Sequence, residues 1–219
     1  MKAFFQAIAV AAMLLAVISH VQAEQGESAF VKSASTRAND WFDKGSQYAG
    51  QQQNESAIEA YTKAIELNPG FVEAYTARGN MFVRTGRSER AMGDFNKALS
   101  LDPRNSAAHN NRGMIYYQRG NHEKAVEDFT KAIIGSPNTV TYYRNRAAAY
   151  AGLKKYEKAI ADYTNAIGME PANAEAYAGR GNAYFALKRK DQAAGDLKKA
   201  CSLGSELGCS SLKTLTKGK

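Results

Sequence analysis

Few side chains in this sequence are of the types that carry out catalysis or bind metals. Its three histidines are His20, His109 and His122, and without cysteine ligands beside them they make no metal site. The segment HEKAV at 122–126 begins like the helical zinc-protease motif, but Val126 stands where the second histidine belongs. We therefore interpret His122 as an exposed residue that starts a helix, and His109 as a packing residue. Since neither a GxSxG segment nor a P-loop occurs, we expect a non-enzyme without metal or cofactor.

Charged side chains recur at a regular spacing of 34 residues. A column of arginines at this spacing could bind phosphate or an acidic polymer. We favour the alternative that each arginine stem covers apolar surface while its guanidinium reaches water or a neighbouring aspartate. The arginines are Arg78, Arg112, Arg146 and Arg180, and the aspartates are Asp94, Asp128, Asp162 and Asp196.

Apolar and small residues follow the same 34-residue period. A proline closes each apolar segment, and proline ends a helix because it lacks an N–H group and its ring clashes with the preceding turn. Within each copy a bulky residue, a small residue four positions later and an aromatic three further on share one helical face. No segment alternates as a strand does, so the predicted fold class is all-α. The prolines are Pro69, Pro103, Pro137 and Pro171, and the small residues are Gly45, Gly79, Gly113, Ala147 and Gly181.

These columns resemble the tetratricopeptide repeat (TPR) family over residues 38–207. The resemblance implies an α-solenoid, a right-handed superhelix of five helix pairs, followed by a capping helix and basic tail at 208–219. His109 replaces the usual opening aromatic, and Ser205 replaces a fifth proline, which marks the end of the array. Proteins of this family bind other proteins, so a protein or peptide partner is expected. The repeats are predicted at 38–71, 72–105, 106–139, 140–173 and 174–207.

In TPR arrays the first helix of each pair lines a concave groove, and asparagine is frequent at the groove-facing positions of this sequence. An asparagine amide carries both donor and acceptor, so it can bind an extended peptide backbone whatever its side chains. Asn111 and Asn145 occupy equivalent columns, similar to a short form of the asparagine ladder in the O-GlcNAc transferase superhelix. Ala77 and Gly179 take that column in the flanking repeats. The alternative is a merely solvated helix face. The predicted groove residues are Asn80, Arg84, Asn110, Asn111, Tyr117, Arg144, Asn145, Asn182 and Phe185.

The first 23 residues differ in composition from the rest of the chain. Lys2 provides a positive start, the apolar segment AFFQAIAVAAMLLAVI follows, and VQA at 21–23 offers small residues to signal peptidase. We expect cleavage after Ala23, a linker at 24–37, and a periplasmic or secreted protein with no transmembrane span after cleavage. An uncleaved membrane anchor is the alternative, although the apolar run is shorter than the ~20 residues that a span needs.

Two cysteines near the C terminus also bear on whether the protein is exported. Cys201 ends the last predicted repeat and Cys209 starts the following helix, with Gly204 as the turn between them. In an oxidising compartment such a pair is expected to form a disulfide. The segment KKACSLGSELGCSSL also resembles the cysteine-paired α/α repeats of Sel1-like proteins. Two unpaired thiols are the alternative. A disulfide here would pin the capping helix against the open end of the array.

The net charge and the predicted export of the protein limit the classes of partner that we expect. The net charge is +8, part of it in LKRK at 187–190 and in the C-terminal tail. An exported chain without a platform of aromatic and basic residues is not expected to bind nucleic acid. Our first hypothesis is a non-catalytic exported scaffold that binds peptide segments of envelope proteins in its groove. The alternatives are a self-associating assembly factor and an accessory or adaptor protein for a cell-wall hydrolase.

Overall fold

The structure, a computed structural model, describes residues 35–217. The predicted signal peptide and residues 24–34 of the predicted linker lie outside this range, as does the end of the basic tail. Residues 35–37, which the sequence analysis assigned to the linker, are helical instead. The chain divides into two compact units, one ending at Met81 and the other beginning at Phe82, and each is described by itself.

Every regular element within residues 35–217 is an α-helix, which confirms the predicted fold class. The first unit contains α1, α2 and most of α3, and the second contains the end of α3 and the helices α4 to α11. Consecutive helices contact each other from α4 to α11. The bounds are α1 (35–50), α2 (Asn54–Leu67), α3 (Val72–Arg84), α4 (Ser88–Leu101), α5 (Ser106–Gln118), α6 (His122–Gly135), α7 (Val140–Gly152), α8 (Tyr156–Met169), α9 (Ala174–Ala186), α10 (Lys190–Ser202) and α11 (Glu206–Lys217).

The tight turns inside the helix pairs share one backbone feature. At positions 34 residues apart the chain has a positive φ, between 57° and 75°. This left-handed conformation ends the first helix and turns the chain back towards the second. It suits glycine, and it costs other residues about 1 kcal/mol because their Cβ approaches the following carbonyl oxygen. The residues are Gln52, Gly86, Gly120, Lys154 and Lys188.

The turns between successive pairs depend on proline. The residue before each proline is extended, with φ between −130° and −144°, as proline requires of its neighbour. That residue still donates its N–H to the carbonyl of an alanine four positions earlier, which closes the helix end. After the turn, Asn105 and Asn173 each accept a hydrogen bond from the backbone N–H three residues later, and this caps the next helix.

Large side chains of the second helices pack on small residues of the first helices. Phe129 is fully buried and rests on Gly113, where an added Cβ would lie 2.9 Å from the ring. Leu197 rests on Gly181 in the same way, and in the first unit Tyr61 rests on Gly45. Because the small residue leaves room for the large side chain, the two helices of a pair approach closely.

Ala147 departs from this pattern, and the neighbouring pair provides the missing room. Tyr163 is 6% exposed and packs in a cluster with Ala147. Its ring also lies over Gly179 of α9, in the space that a Cβ would fill. The room that a glycine under the ring provides in other pairs is therefore provided here by Gly179.

The C-terminal helix is joined to the helix before it by a covalent bond. Cys201 and Cys209 form a disulfide with their Cα atoms 4.6 Å apart, which is the pairing predicted from the sequence. Gly204 supplies the turn with φ +90°. The start predicted for this helix, Cys209, is too late. Helix α11 begins at Glu206, because Ser205 accepts a hydrogen bond from the N–H of Gly208 and caps the helix there.

Candidate functional site

Three arginines of the second unit, Arg112, Arg146 and Arg180, each bind side chains from two neighbouring helices. Arg146 on α7 donates to both carboxylate oxygens of Asp162 on α8, at 2.7 and 2.8 Å. Its remaining terminal nitrogen donates to Thr130 Oγ1 on α6 at 3.2 Å. The guanidinium therefore connects its own helix pair to the preceding pair. We call each such set an arginine junction.

Two further arginine junctions repeat this geometry. Arg180 binds both oxygens of Asp196, at 2.7 and 2.9 Å, and Thr164 at 3.0 Å. Arg112 binds both oxygens of Asp128 at 2.8 Å and Asn96 Oδ1 at 2.7 Å. The predicted pairing of arginines with aspartates is therefore confirmed for these three. Because an aspartate already pairs with each of these guanidinium groups and three of its five N–H donors are bound, the alternative of a phosphate-binding column loses its basis here.

Pairing outweighs burial in setting the charge state of Asp128. Burial alone would raise the pKa of this carboxyl, but hydrogen bonds from Arg112 and His109, and the charges of both, bring the pKa below its ordinary value of 3.8. Hydrogen bonding to Asp128 in turn raises the pKa of Arg112 against the opposing effect of burial. Both partners of this junction therefore stay charged across the neutral range.

His109 does more than the packing role predicted from the sequence. It is buried, but its Nδ1 lies 2.9 Å from Asp128 Oδ1 and its Nε2 lies 3.1 Å from the Pro103 carbonyl oxygen. Both partners are acceptors, and a neutral imidazole has only one N–H donor. Only the imidazolium form can donate both bonds, and it then links the aspartate to the proline turn.

His122 is half-buried rather than exposed as predicted. Its ring centroid lies 5.1 Å from that of Tyr117. The ring also lies against Gly152, where an added Cβ would be 2.7 Å from Nε2. Because Gly152 has no side chain, there is room for the His122 ring to pack against α7. Within the described residues its Nδ1 is buried without a hydrogen-bond partner.

Three predicted groove residues form a chain of amide hydrogen bonds, which we call the asparagine chain. Asn145 on α7 donates through Nδ2 to Asn110 Oδ1 on α5, and Asn110 donates to Asn111 Oδ1, both at 2.9 Å. All three residues are half-buried. The two asparagines of the predicted ladder, Asn111 and Asn145, are thus linked through Asn110. After this bond Asn145 retains its Oδ1 acceptor and one N–H donor.

Arg144, Tyr117 and Phe185 are further predicted groove residues of the second unit. Arg144 directly precedes Asn145 on α7 and is half-buried, and it forms no hydrogen bond or ion pair with any residue in 35–217. Tyr117 is half-buried on α5, and Phe185 on α9 is 42% exposed. The first helices α5, α7 and α9 contact one another in sequence, so these side chains belong to neighbouring helices.

The remaining predicted groove residues lie on helices other than those that carry the asparagine chain. Asn182 is half-buried on α9. Asn80 and Arg84 both lie on α3, where Asn80 is half-buried in the first unit and Arg84 is exposed in the second. Of the predicted groove residues, the hydrogen bonds of Asn145 and Asn110 therefore join only those on α5 and α7.

Tyr163 reaches the same region, although the sequence analysis did not assign it there. Its ring covers Gly179, the position that follows Asn111 and Asn145 in the asparagine column. Burial raises the pKa of Tyr163 to about 12, with electrostatic contributions from Tyr117, which raises it, and Arg144, which lowers it. A glycine at 179 together with a tyrosine at 163 is the sequence feature from which this contact could have been predicted.

Comparison with known proteins identifies the family. A model of the tetratricopeptide repeat matches residues 106–134, and another matches residues 174–203. A TPR repeat model matches residues 45–86, 79–118 and 152–188, and together these matches cover more than half of the chain. The chain belongs to the TPR family. Members of this family bind protein or peptide partners, and the TPR fold therefore implies a role in protein–protein interaction.

Solved TPR structures share the fold. A crystal structure of MamA has a TM-score of 0.68 at 23% identity, covering 76% of this chain and 91% of that one. YrrB, described as a TPR protein with an unusual peptide-binding site, has a TM-score of 0.70 at 20% identity, covering 84% and 98%. Pseudomonas aeruginosa PilF has a TM-score of 0.72 at 18% identity, covering 80% and 79%. No curated protein sequence matches the chain.

The part of the chain that the structure describes offers neither a membrane span nor a cluster of metal ligands. None of its helices combines the length and apolar character that crossing a bilayer requires. No three histidine, cysteine, aspartate or glutamate side chains in this part cluster as metal ligands would.

Proposed function

We propose that this TPR protein is a non-catalytic exported scaffold that binds an extended peptide segment of an envelope protein beside the asparagine chain. The observation that carries the proposal is the bond from Asn145 to Asn110 between neighbouring first helices. It holds two amides in fixed positions on adjacent helices.

The chemistry of Asn145 suits a peptide backbone. Its remaining Oδ1 and N–H match the N–H and C=O groups that an extended peptide presents. Because the bond to Asn110 already restricts the side chain, less conformational entropy is lost when a peptide binds. The two amides therefore form a partly preorganised recognition element.

Neighbouring side chains narrow the kind of peptide. Arg144 is a half-buried guanidinium without an ion-pair partner in residues 35–217, and guanidinium groups bind carboxylates through paired hydrogen bonds. Tyr117 and the exposed Phe185 supply aromatic contact area at low entropic cost. A peptide with an acidic residue close to an apolar one fits this set.

The compartment is part of the proposal. The apolar N-terminal segment followed by VQA at 21–23 has the features of a signal peptide. The disulfide between Cys201 and Cys209 suits an oxidising compartment, since cytosolic thiols are normally kept reduced. Mass analysis of the native protein should find Glu24 as the first residue, and an intact Met1 would contradict export by cleavage.

Peptide selection followed by a matched pair of variants tests the binding face. Peptides displayed on phage are selected on the parent protein, and the best binder is measured by calorimetry. Asn145→Ala should weaken its binding about tenfold, which corresponds to ~1.4 kcal/mol. Asn165→Ala removes an exposed asparagine from α8 and should change the affinity less than about twofold. Equal affinities of both variants, at unchanged helical circular dichroism, would reject this face.

A further inference from the structure

The third predicted repeat departs from the others at two adjacent positions near the end of α6. At the position of Ile134 the other repeats have polar or small residues, namely Glu66, Ser100, Gly168 and Ser202. At the position of Gly135 they have large apolar residues, namely Leu67, Leu101, Met169 and Leu203. The third repeat thus lacks the large apolar side chain at position 135 and carries an apolar one at position 134 instead.

A cavity lies at this place. Its volume is about 480 Å³, and it is lined by Pro103, Arg104, Lys131, Ile134 and Gly135. This volume falls within the ~300–1,000 Å³ that is typical of ligand-binding clefts. Ile134 is 76% exposed. We call this site the Ile134 cavity.

The glycine brings the proline turn close to the end of α6. An added Cβ at Gly135 would overlap Ser106 Oγ and lie 3.0 Å from the backbone oxygen of Arg104. Ser136 donates to Ser106 Oγ at 3.1 Å, which holds the same two segments together. The wall that carries Arg104 is therefore fixed against the helix that carries Lys131 and Ile134.

Two cations line the cavity, and neither has a charged partner within residues 35–217. Neither Arg104 nor Lys131 forms an ion pair with another residue of the described part of the chain. Asp102 is the carboxylate nearest to Arg104 in the sequence, but its Oδ1 accepts from the backbone N–H of Arg104 at 2.9 Å. The cavity therefore combines positive charge with an exposed apolar side chain.

We propose that the Ile134 cavity is a second docking site, which takes an acidic peptide segment with an apolar residue next to its carboxylates. A single exposed isoleucine is ordinary on a protein surface. Here it borders a concave site with two uncompensated cations, and carboxylates complement those cations while the apolar residue covers Ile134. The site shares no residue with the asparagine chain and does not depend on the function proposed above.

Two fluorescein-labelled probe peptides test the site by fluorescence anisotropy. One has the sequence GSDELFES, and in the other every acidic residue is replaced by lysine. The acidic probe should bind the parent protein, and the lysine probe should bind at least about tenfold more weakly. Binding should fall as salt is raised, because exposed charges are screened.

Each variant of the cavity has a matched control in the second predicted repeat. Ile134→Glu introduces the residue found at Glu66, and Lys131→Asn introduces the residue found at Asn165. Each should weaken binding of the acidic probe at least about tenfold, because Lys131→Asn removes a cation that pairs with a carboxylate and Ile134→Glu replaces the apolar contact with a like charge. Ser100→Glu and Lys97→Asn change exposed residues in the same two columns and should leave its affinity within about twofold. Because the acidic probe also fits the peptide class proposed for the asparagine chain, the cavity and control variants are made in an Asn145→Ala background, in which binding at the Ile134 cavity should persist.

Several results would overturn the proposal. The proposal is wrong if the two probes bind equally well, or if the cavity variants and the control variants bind the acidic probe with equal affinity. It is also wrong if Asn145→Ala abolishes binding of the acidic probe. Binding of phosphatidylglycerol vesicles that Ile134→Glu abolishes, without binding of the acidic probe, would assign the cavity to a membrane surface instead. Circular dichroism checks each variant, and Ile134→Ser, which introduces the residue found at Ser100, replaces Ile134→Glu if the latter fails to fold.

Discussion

The junction around Arg146 and the junction between α10 and α11 hold successive helices together by different chemistry. At the first, Arg146 binds Asp162 on α8 and Thr130 on α6. At the second, a disulfide joins Cys201 to Cys209. One is a set of charge-assisted hydrogen bonds within the array, and the other is a covalent bond at the last described helix.

The N-caps show that α11 takes the place of a first helix. Asn173 caps α9 by accepting the N–H three residues later, and Ser205 caps α11 in the same manner. Seven residues after Asn173 comes Arg180, and seven residues after Ser205 comes Leu212. The arginine column therefore ends at α11, which contacts both α9 and α10.

Helix α11 is held by a disulfide instead of an arginine junction because an arginine there would need a carboxylate from a further helix. An arginine junction requires an aspartate from the second helix of the same pair, and no helix follows α11 within the described residues. A partly buried arginine there would lack its carboxylate, which is unfavourable. A disulfide needs only the preceding helix, so it can close the array where pairing of charges cannot.

Arg146→Ala should have the largest effect, because it breaks a junction on both sides. The side chain of Asp162 is 6% exposed, and leaving a buried carboxylate without its partner costs about 3 kcal/mol. Urea unfolding followed by circular dichroism should show this loss.

Arg144→Ala is the matched control, two residues away on the same helix. Since Arg144 forms no ion pair in residues 35–217, its replacement should change stability by no more than about 0.5 kcal/mol. A similar loss in both variants would mean that the junction contributes no more than an ordinary half-buried side chain.

Removing the disulfide should have the next largest effect, and a local one. A loop with a sequence separation of 8 residues loses about 2.5 kcal/mol of chain-entropy stabilisation when opened. Amides of α11 should then exchange with deuterium faster, whereas those of α5 to α8 should not.

The control for this experiment is the double variant Cys201→Ser with Cys209→Ser. It should behave as the reduced parent does, and dithiothreitol should not change it further. Unchanged exchange in α11 after reduction would show that packing of Gly208 and the Ser205 cap suffices to hold the helix.

Features set by spacing along one helix pair could be predicted from the sequence. Arg112 and Asp128 are 16 residues apart, and the same separation recurs in the second, fourth and fifth predicted repeats, so their pairing follows from the repeat. The all-α fold and the turn at Gly204 are equally local, since helix period and turn residues decide them.

Features set by contacts between pairs could not be predicted in the same way. The bond from Asn145 to Asn110 spans 35 residues and depends on side-chain conformation. The position of Tyr163 depends on one methyl group, because Ala147 stands where other pairs have glycine. His109 was interpreted as a packing residue since its column is otherwise mostly aromatic, and its two acceptor partners become evident only in three dimensions.

His109→Phe should have the smallest effect and shows how the Arg112 junction differs from the other two. His109 is one of the two groups whose hydrogen bonds lower the pKa of Asp128, and losing a hydrogen bond to a charged group costs about 1.5 kcal/mol. Regained aromatic packing should reduce the net loss to ~1 kcal/mol.

This effect should depend on pH. A carboxyl with a lowered pKa contributes stability that is present above pH 3.8 and is lost as the pH falls through its folded pKa. The difference between parent and variant should therefore be largest above pH 3.8 and shrink as the pH falls below that value, as urea unfolding at several pH values would show. Tyr143→Phe, in the same column of the next repeat, should show no such pH dependence, and a constant difference for His109→Phe would mean that the histidine acts through packing alone.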